Sequence, residues 1–252
     1  MKGDMSLAEP TGPKMNLAIF DHLKSRIRSS VPRLLGRSLP NATEHYQGMR
    51  VSPEEIASEA FKQHLGGGNE HWDQRGRFQL LFLKSMGLLP SSHFLDIGCG
   101  PLRAGVHLID YLDARHYIGF DYNADFITAA HSIVEGRGLT NKCPKLACIS
   151  NFDCPGQNWN ADFAIVFSVL NHCSKTERRA FFQRIPTALH TQARLYITHA
   201  SWVRPGHLKS SGMKIAKTIR SDFIDITRHG WEHQDDIFPI LELTKIEAYS
   251  RC

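Results

Sequence analysis

Residues 94–105 read FLDIGCGPLRAG, an apolar run that ends on Asp96 and opens through Gly98 and Gly100 into a helix-like stretch. A second apolar run, His116 to Phe120, ends on Asp121. Two strands tipped with carboxylates, joined by a glycine turn and a helix, are the parts with which a βαβ unit holds a nucleoside. The glycines let the backbone come close to the ligand. The second acid can accept both ribose hydroxyls.

Phosphate ligands fit this pattern less well. A dinucleotide turn wants G-x-G-x-x-G, and Arg103 occupies the third glycine position. A P-loop needs a Gly-Lys-Ser/Thr ending, which is absent from the turn. Acids at 96 and 121 around an uncrowded turn suit a cation beside a ribose instead. A sulfonium and an amino-acid ammonium on one nucleoside describe S-adenosylmethionine.

The segments FLDIGCGPLRAGVHLIDYL, HYIGFDYN, ACISNFD and DFAIVFSVLNHC, in that order, resemble the class I S-adenosylmethionine-dependent methyltransferases. The resemblance spans roughly Trp72 to Ser201. It departs at Leu102, where a third glycine is commoner, with Gly105 displaced into the helix. It implies an α/β fold: a Rossmann-like doubly wound sheet, mostly parallel with an antiparallel last strand, plus an N-terminal helical extension. The division expected is a disordered tail over 1–14, a helical extension or lid over 15–70, and the catalytic domain over 71–252.

On this reading Asp96 meets the methionine ammonium or only orders the turn. Gly98 and Gly100 give the cofactor a backbone surface, Asp121 clamps the ribose, and Tyr122 packs on the adenine. Asp153 accepts from the exocyclic amine, while Phe152 stacks on the ring or fills the core. Arg103 binds the methionine carboxylate, binds a substrate acid, or is a structural residue. Ser168 joins the cofactor-binding set. His172, after the fourth strand, is either a general base or a hydrogen-bonding loop residue. Trp72 and Arg77, with Arg75 between them, are placed to line the mouth, and His199, Trp202 and His207 follow the fifth strand, where substrate loops lie. The fourth-strand end lacks the Asn/Asp-Pro-Pro-Tyr/Phe pattern of enzymes methylating nucleobase amines. The expected acceptor is the oxygen or nitrogen of a small or glycan-like molecule. Protein or RNA methylation and a non-catalytic cofactor-binding module are the alternatives.

The supporting elements follow from periodicity and caps. Ser52-Pro53-Glu54-Glu55 starts a helix that should run to about Leu65, before Gly66-Gly67-Gly68. Helical spacing over Trp72–Met86 closes on Gly87. Strands are expected at His93–Ile97, Lys145–Ile149, Asp162–Phe167 and Ala193–Thr198. Helices are expected at Leu102–Leu112, from the Asn123 cap to Gly136, from the Ser174–Glu177 box, and over Ser221–Gly230. Trp231–Ile237 and Leu243–Tyr249 read as a final antiparallel pair.

Composition excludes several classes. The 252 residues are 42% hydrophobic and 22% charged, as in ordinary globular chains. No run reaches the ~18 apolar residues of a membrane span, and no secretory h-region follows the N-terminal basic residues. Cys99, Cys143, Cys148, Cys154, Cys173 and Cys252 lack CxxC spacing and read as free thiols in a cytoplasmic protein rather than zinc ligands. His229 and His233 lack an evident third ligand, so no metal is expected. Residues 1–40 hold seven Lys or Arg against three acids, so the remainder is near neutral and nucleic acid is not an expected partner. The basic N-terminal helix packs on the domain or attaches peripherally to an anionic membrane. Nothing in the sequence specifies the oligomeric state.

Overall fold

Among the described residues seven strands form one sheet, in the order β3-β2-β1-β4-β5-β7-β6. The computed structural model describes residues 48–66, 69–154, 159–198, 203, 205–220 and 239–246. These belong to the second of two units, Pro40–Cys252, the first being Met1–Leu39. The expected tail, most of the extension, Ser221–Gly230 and Trp231–Ile237 lie outside the described residues.

The strands are β1 (Phe94–Ile97), β2 (Tyr117–Asp121), β3 (Lys145–Cys148), β4 (Ala161–Val166), β5 (Leu189–Ile197), β6 (Met213–Ile219) and β7 (Ile240–Lys245). The first five pair in parallel, and β7 runs antiparallel to both β5 and β6. Strand order reverses between β1 and β4, and there the carboxyl ends open a crevice. The Rossmann-like sheet with an antiparallel last strand is present. The partner of β7 is not Trp231–Ile237 but Met213–Ile219, whose middle is exposed and therefore carries no apolar run.

The helices are α1 (Pro53–Ala57), α2 (Phe61–Gly66), α3 (Asn69–Ser85), α4 (Gly105–Tyr111), α5 (Ala124–Gly136), α6 (Lys175–Arg184) and α7 (Pro205–Ser211). Capping boxes at Ser52–Glu55 and Ser174–Glu177 start α1 and α6, and the Asn123 side chain accepts from Asp125 and Phe126 to start α5. The single helix expected from Ser52 to Leu65 is two. Ser58 Oγ donates back to the Glu54 carbonyl at 2.7 Å, and Glu59 turns left-handed at φ 55°. α4 begins three residues after the expected Leu102, because Leu102 itself is left-handed at φ 60°.

Side chains alternate across the sheet. Phe94 and Tyr117 face a core built with Phe78, Phe82, Leu108 and Ile127, whereas Leu95, Ile97, Ile118 and Phe120 face Phe181 and Phe182. By the same alternation Asp96 and Asp121 share the first face. A third cluster of Val51, Phe61, Trp72, Phe126 and Ile133 fastens α2 to α3 and α5. Arg194 on β5 lies over Phe163 and donates to the Met86 carbonyl, closing the end of α3 onto the sheet.

α3 reaches the site through one close approach. A methyl on Gly76 would lie 2.1 Å from the Arg103 carbonyl oxygen and 2.8 Å from His107 Cδ2. Both contacts are to packed groups, so Gly76→Ala must push α3 away from the β1 turn. The expected loss is about 1–3 kcal/mol, read as a lower denaturation midpoint at unchanged m-value.

Candidate functional site

At the β1–β4 crevice a cavity of about 510 Å³ gathers residues from every flanking loop. Asp96, Gly98, Cys99, Gly100 and Arg103 come from the end of β1 and its turn. Asp121 and Tyr122 end β2, Ile149 to Phe152 follow β3, and Phe167, Ser168, Val169 and His172 follow β4. Trp72, Arg75 and Gln79 of α3 close one side.

The turn after β1 is shaped for backbone contact. Gly98 sits at φ 74°, and a methyl there would lie 2.4 Å from Val169 Cγ2. Only glycine satisfies both conditions. Gly100 has nothing within 4 Å of where its side chain would be, so its backbone faces open space. The opposite loop is held by Ser168, left-handed at φ 57°, whose N–H donates to Thr198 Oγ1 at 2.8 Å.

Asp121 is 6% exposed, and both its oxygens are fixed: Gly100 N–H donates to Oδ2 and Asn123 N–H to Oδ1, each at 3.0 Å. Burial raises its pKa, opposed by the amides of Asn123, Gly100 and Tyr122. A carboxylate oxygen has two lone pairs, so these bonds leave acceptor capacity for two ligand hydroxyls.

Asp96 is 5% exposed and receives Tyr117 Oη–H on Oδ2 at 2.8 Å. Burial pushes its pKa up to about 7. The Tyr117 hydrogen bond opposes this, nearby Asp121 adds to it, and Arg103 lowers it. A cationic ligand would supply the charge that these two buried acids lack.

The Arg103 guanidinium lies over the Trp72 ring at 5.6 Å, so both groups stand together at the cavity wall. Phe152 lines the cavity and packs edge-on against Phe181, with ring centroids 5.3 Å apart. It therefore serves the core and presents an apolar face to a ligand. Asn171 Nδ2 lies 3.2 Å from His172 Nε2, and an amide donor there favours the tautomer with that nitrogen unprotonated.

Three expected residues stand apart from the cavity wall: Asp153, Arg77 and His207, whose ring stacks on Phe182 with centroids 5.3 Å apart. Asp153 is exposed, because Asn151 and Phe152 turn left-handed at φ 53° and 55° and Asn151 O is held by Arg184. Arg77 turns outward to Asp73, with Nε 2.7 Å from Oδ2. His199 and Trp202 lie outside the described residues. Sequence reasoning missed Gln79, Cys99, Ile149, Ser150 and Glu177 in the wall. The i, i+3, i+7 spacing of Trp72, Arg75 and Gln79 was the available signal for one helix face.

Among the described residues no group of three or more His, Cys, Asp or Glu could hold a metal, and Cys99, Cys143, Cys148, Cys154 and Cys173 are free. No helix among them is long and apolar enough to cross a membrane.

Residues 95–195 match a family model described as a methyltransferase domain. Over those residues the chain is similar to methyltransferase domains. Solved structures agree on the fold. The magnesium protoporphyrin IX methyltransferase of Synechocystis PCC 6803, with bound S-adenosylmethionine, superposes with a TM-score of 0.58 at 16% identity over 83% of this chain and 100% of that one. A TehB-like S-adenosylmethionine-dependent methyltransferase of Corynebacterium glutamicum gives 0.51 at 18%, over 76% and 97%. The 4+2 cyclase SpnF gives 0.56 at 14%, over 84% and 99%. No curated protein matches the sequence. A methyltransferase domain of this fold implies S-adenosylmethionine as cofactor. The acids at 96 and 121 and the open backbone at Gly98–Gly100 fit that molecule's cation and ribose.

The raised pKa of Asp96 carries a sign for stability. The folded chain keeps a proton that the unfolded chain releases above its ordinary 3.8, so this contribution is full below about 3.8 and is lost as pH rises through about 7. Asp121 adds in the same direction. In the unliganded domain Asp96→Asn should reduce the fall in urea midpoint between about pH 5 and about pH 8, with Asp121 supplying what remains.

Proposed function

We propose that this protein transfers the methyl group of S-adenosylmethionine to an oxygen or nitrogen of a small-molecule or glycan-like acceptor by in-line displacement. The observation that carries the reading is that one cavity holds both halves of such a site. Asp96, Asp121 and the glycine turn stand on one side, and His172 stands beyond Ser168 on the other.

Bound S-adenosylmethionine supplies a methyl carbon activated by its sulfonium. Asp121 orients the ribose through its two pinned oxygens, and Asp96 meets the ammonium. Arg103 offers a cation to the cofactor carboxylate or to an acidic acceptor. Ile149 and Phe152 give the adenine an apolar wall. His172 takes, on the Nε2 that Asn171 gives up, the proton that the acceptor atom loses as the new bond to carbon forms. Most of the acceleration then comes from holding acceptor and methyl in line.

The cyclase among the fold neighbours matters here, because the same architecture carries a different reaction there. The test must therefore read methyl transfer itself. S-adenosylmethionine labelled in the methyl group is incubated with the protein and separated small-molecule, protein and RNA fractions. Label should enter the small-molecule fraction. Entry into protein or RNA alone would replace this acceptor class, and no transfer into any fraction would favour a binding module. His172→Gln should lower turnover by about a hundred- to ten-thousand-fold while leaving cofactor affinity within about twofold.

A further inference from the structure

The phenol of Tyr117 is buried under the cofactor turn, and three features of the chain are arranged around it. Tyr117 opens β2 and stacks on Phe94 of β1 with ring centroids 6.1 Å apart. Its Oη would lie 2.5 Å from a methyl on Gly105 and 3.0 Å from one on Gly119. Those two glycines leave the channel through which the hydroxyl reaches Asp96 Oδ2 at 2.8 Å. Leu102 fills the core beside it, and its Cδ2 is also 2.5 Å from the position of a Gly105 methyl. The displaced glycine of the turn thus has a physical reason. Its bare Cα admits the Tyr117 hydroxyl.

We propose that Tyr117 is a positioning residue for cofactor capture: its hydroxyl fixes the Asp96 carboxyl as the receptor for the ligand ammonium. The inference rests on the proposed S-adenosylmethionine site.

The charge balance is direct. Unliganded, Asp96 shares a buried space with Asp121 from β2, Cys99 and Arg103 from the turn, and Arg75 on α3. The neighbouring acid and the loss of water favour the neutral carboxylic acid, while Arg103 and the Tyr117 hydrogen bond favour the anion. When an ammonium arrives, an ion pair replaces the neutral acid and the carboxyl proton leaves for solvent. Tyr117 stays a donor throughout, because burial beside Asp96 pushes its phenol well above its ordinary range. One carboxylate oxygen is committed to the tyrosine. The carboxylate plane is thereby set, and the other oxygen is left for the ligand.

The discriminating variant is Tyr117→Phe, which keeps the ring between Phe94 and the glycines and removes one oxygen. Titration calorimetry with S-adenosylhomocysteine, which lacks the sulfonium charge but keeps the ammonium, is run across about pH 5.5 to 8.5 in two buffers of different ionisation enthalpy. The wild type should bind more tightly as pH rises toward about 7 and then level off, with a fractional proton released near neutrality. Tyr117→Phe should weaken binding about tenfold at neutral pH and move the pH midpoint upward, because the anion has lost its donor. Denaturation of the unliganded variant checks that it is folded. A folded variant with wild-type affinity and an unmoved midpoint overturns the positioning role. Failure of the wild type to bind at any pH would instead sink the cofactor reading on which it rests.

Discussion

Everything at this site depends on keeping two carboxylates, Asp96 and Asp121, nearly out of water at the ends of adjacent strands. A buried anion is tolerated where hydrogen bonds and opposite charge replace its hydration. Here the replacement is deliberate and incomplete. Backbone amides of the β1 turn and of the start of α5 hold Asp121, a tyrosine hydroxyl holds Asp96, and Arg103 supplies the nearby positive charge. On the proposed reading, the remaining deficit is what a cationic nucleoside would supply. Strand order, glycine turn and helix starts serve this arrangement. They bring the carboxyl ends of β1 and β2 side by side and give Asp121 its donors.

The nucleoside half was legible because each of its constraints leaves a local mark. Apolar runs ended on acids, glycines stood where backbone must be bare, and Asn123, Ser174 and Ser52 announced their helices. Four features were not legible, each for a physical reason. Leu102 holds a left-handed turn that its residue type does not advertise, because its buried side chain compensates the backbone. β6 is an edge strand exposed along its middle, and the alternation begun by Met213 and Ile215 breaks at Lys217, where its register shifts. The break at Ser58–Ala60 depends on a side chain competing with the helix for the Glu54 carbonyl. The third strand gave its place but not its exit: Asn151 and Phe152 turn left-handed and carry Asp153 away from the cavity.

The side of the cavity facing the glycine turn is built differently. Its wall comes from the Trp72–Arg75–Gln79 face of α3 and from the loop after β4, elements joined by packing and not by a motif. Gly76 against the Arg103 carbonyl and Val169 against Gly98 are the contacts that register the two halves. A shift of either would leave each half intact and misalign them, which is how a methyl-transfer site that relies on positioning would fail.

The central claim is that the Asp96–Asp121 cavity binds S-adenosylmethionine. Calorimetric titration of the purified protein with S-adenosylmethionine and S-adenosylhomocysteine, beside Asp121→Ala, tests it most directly. Saturable binding of both by the wild type, lost in a folded Asp121→Ala, is the predicted result. A well-folded wild type that binds neither, or an Asp121→Ala variant that binds both unchanged, would contradict it.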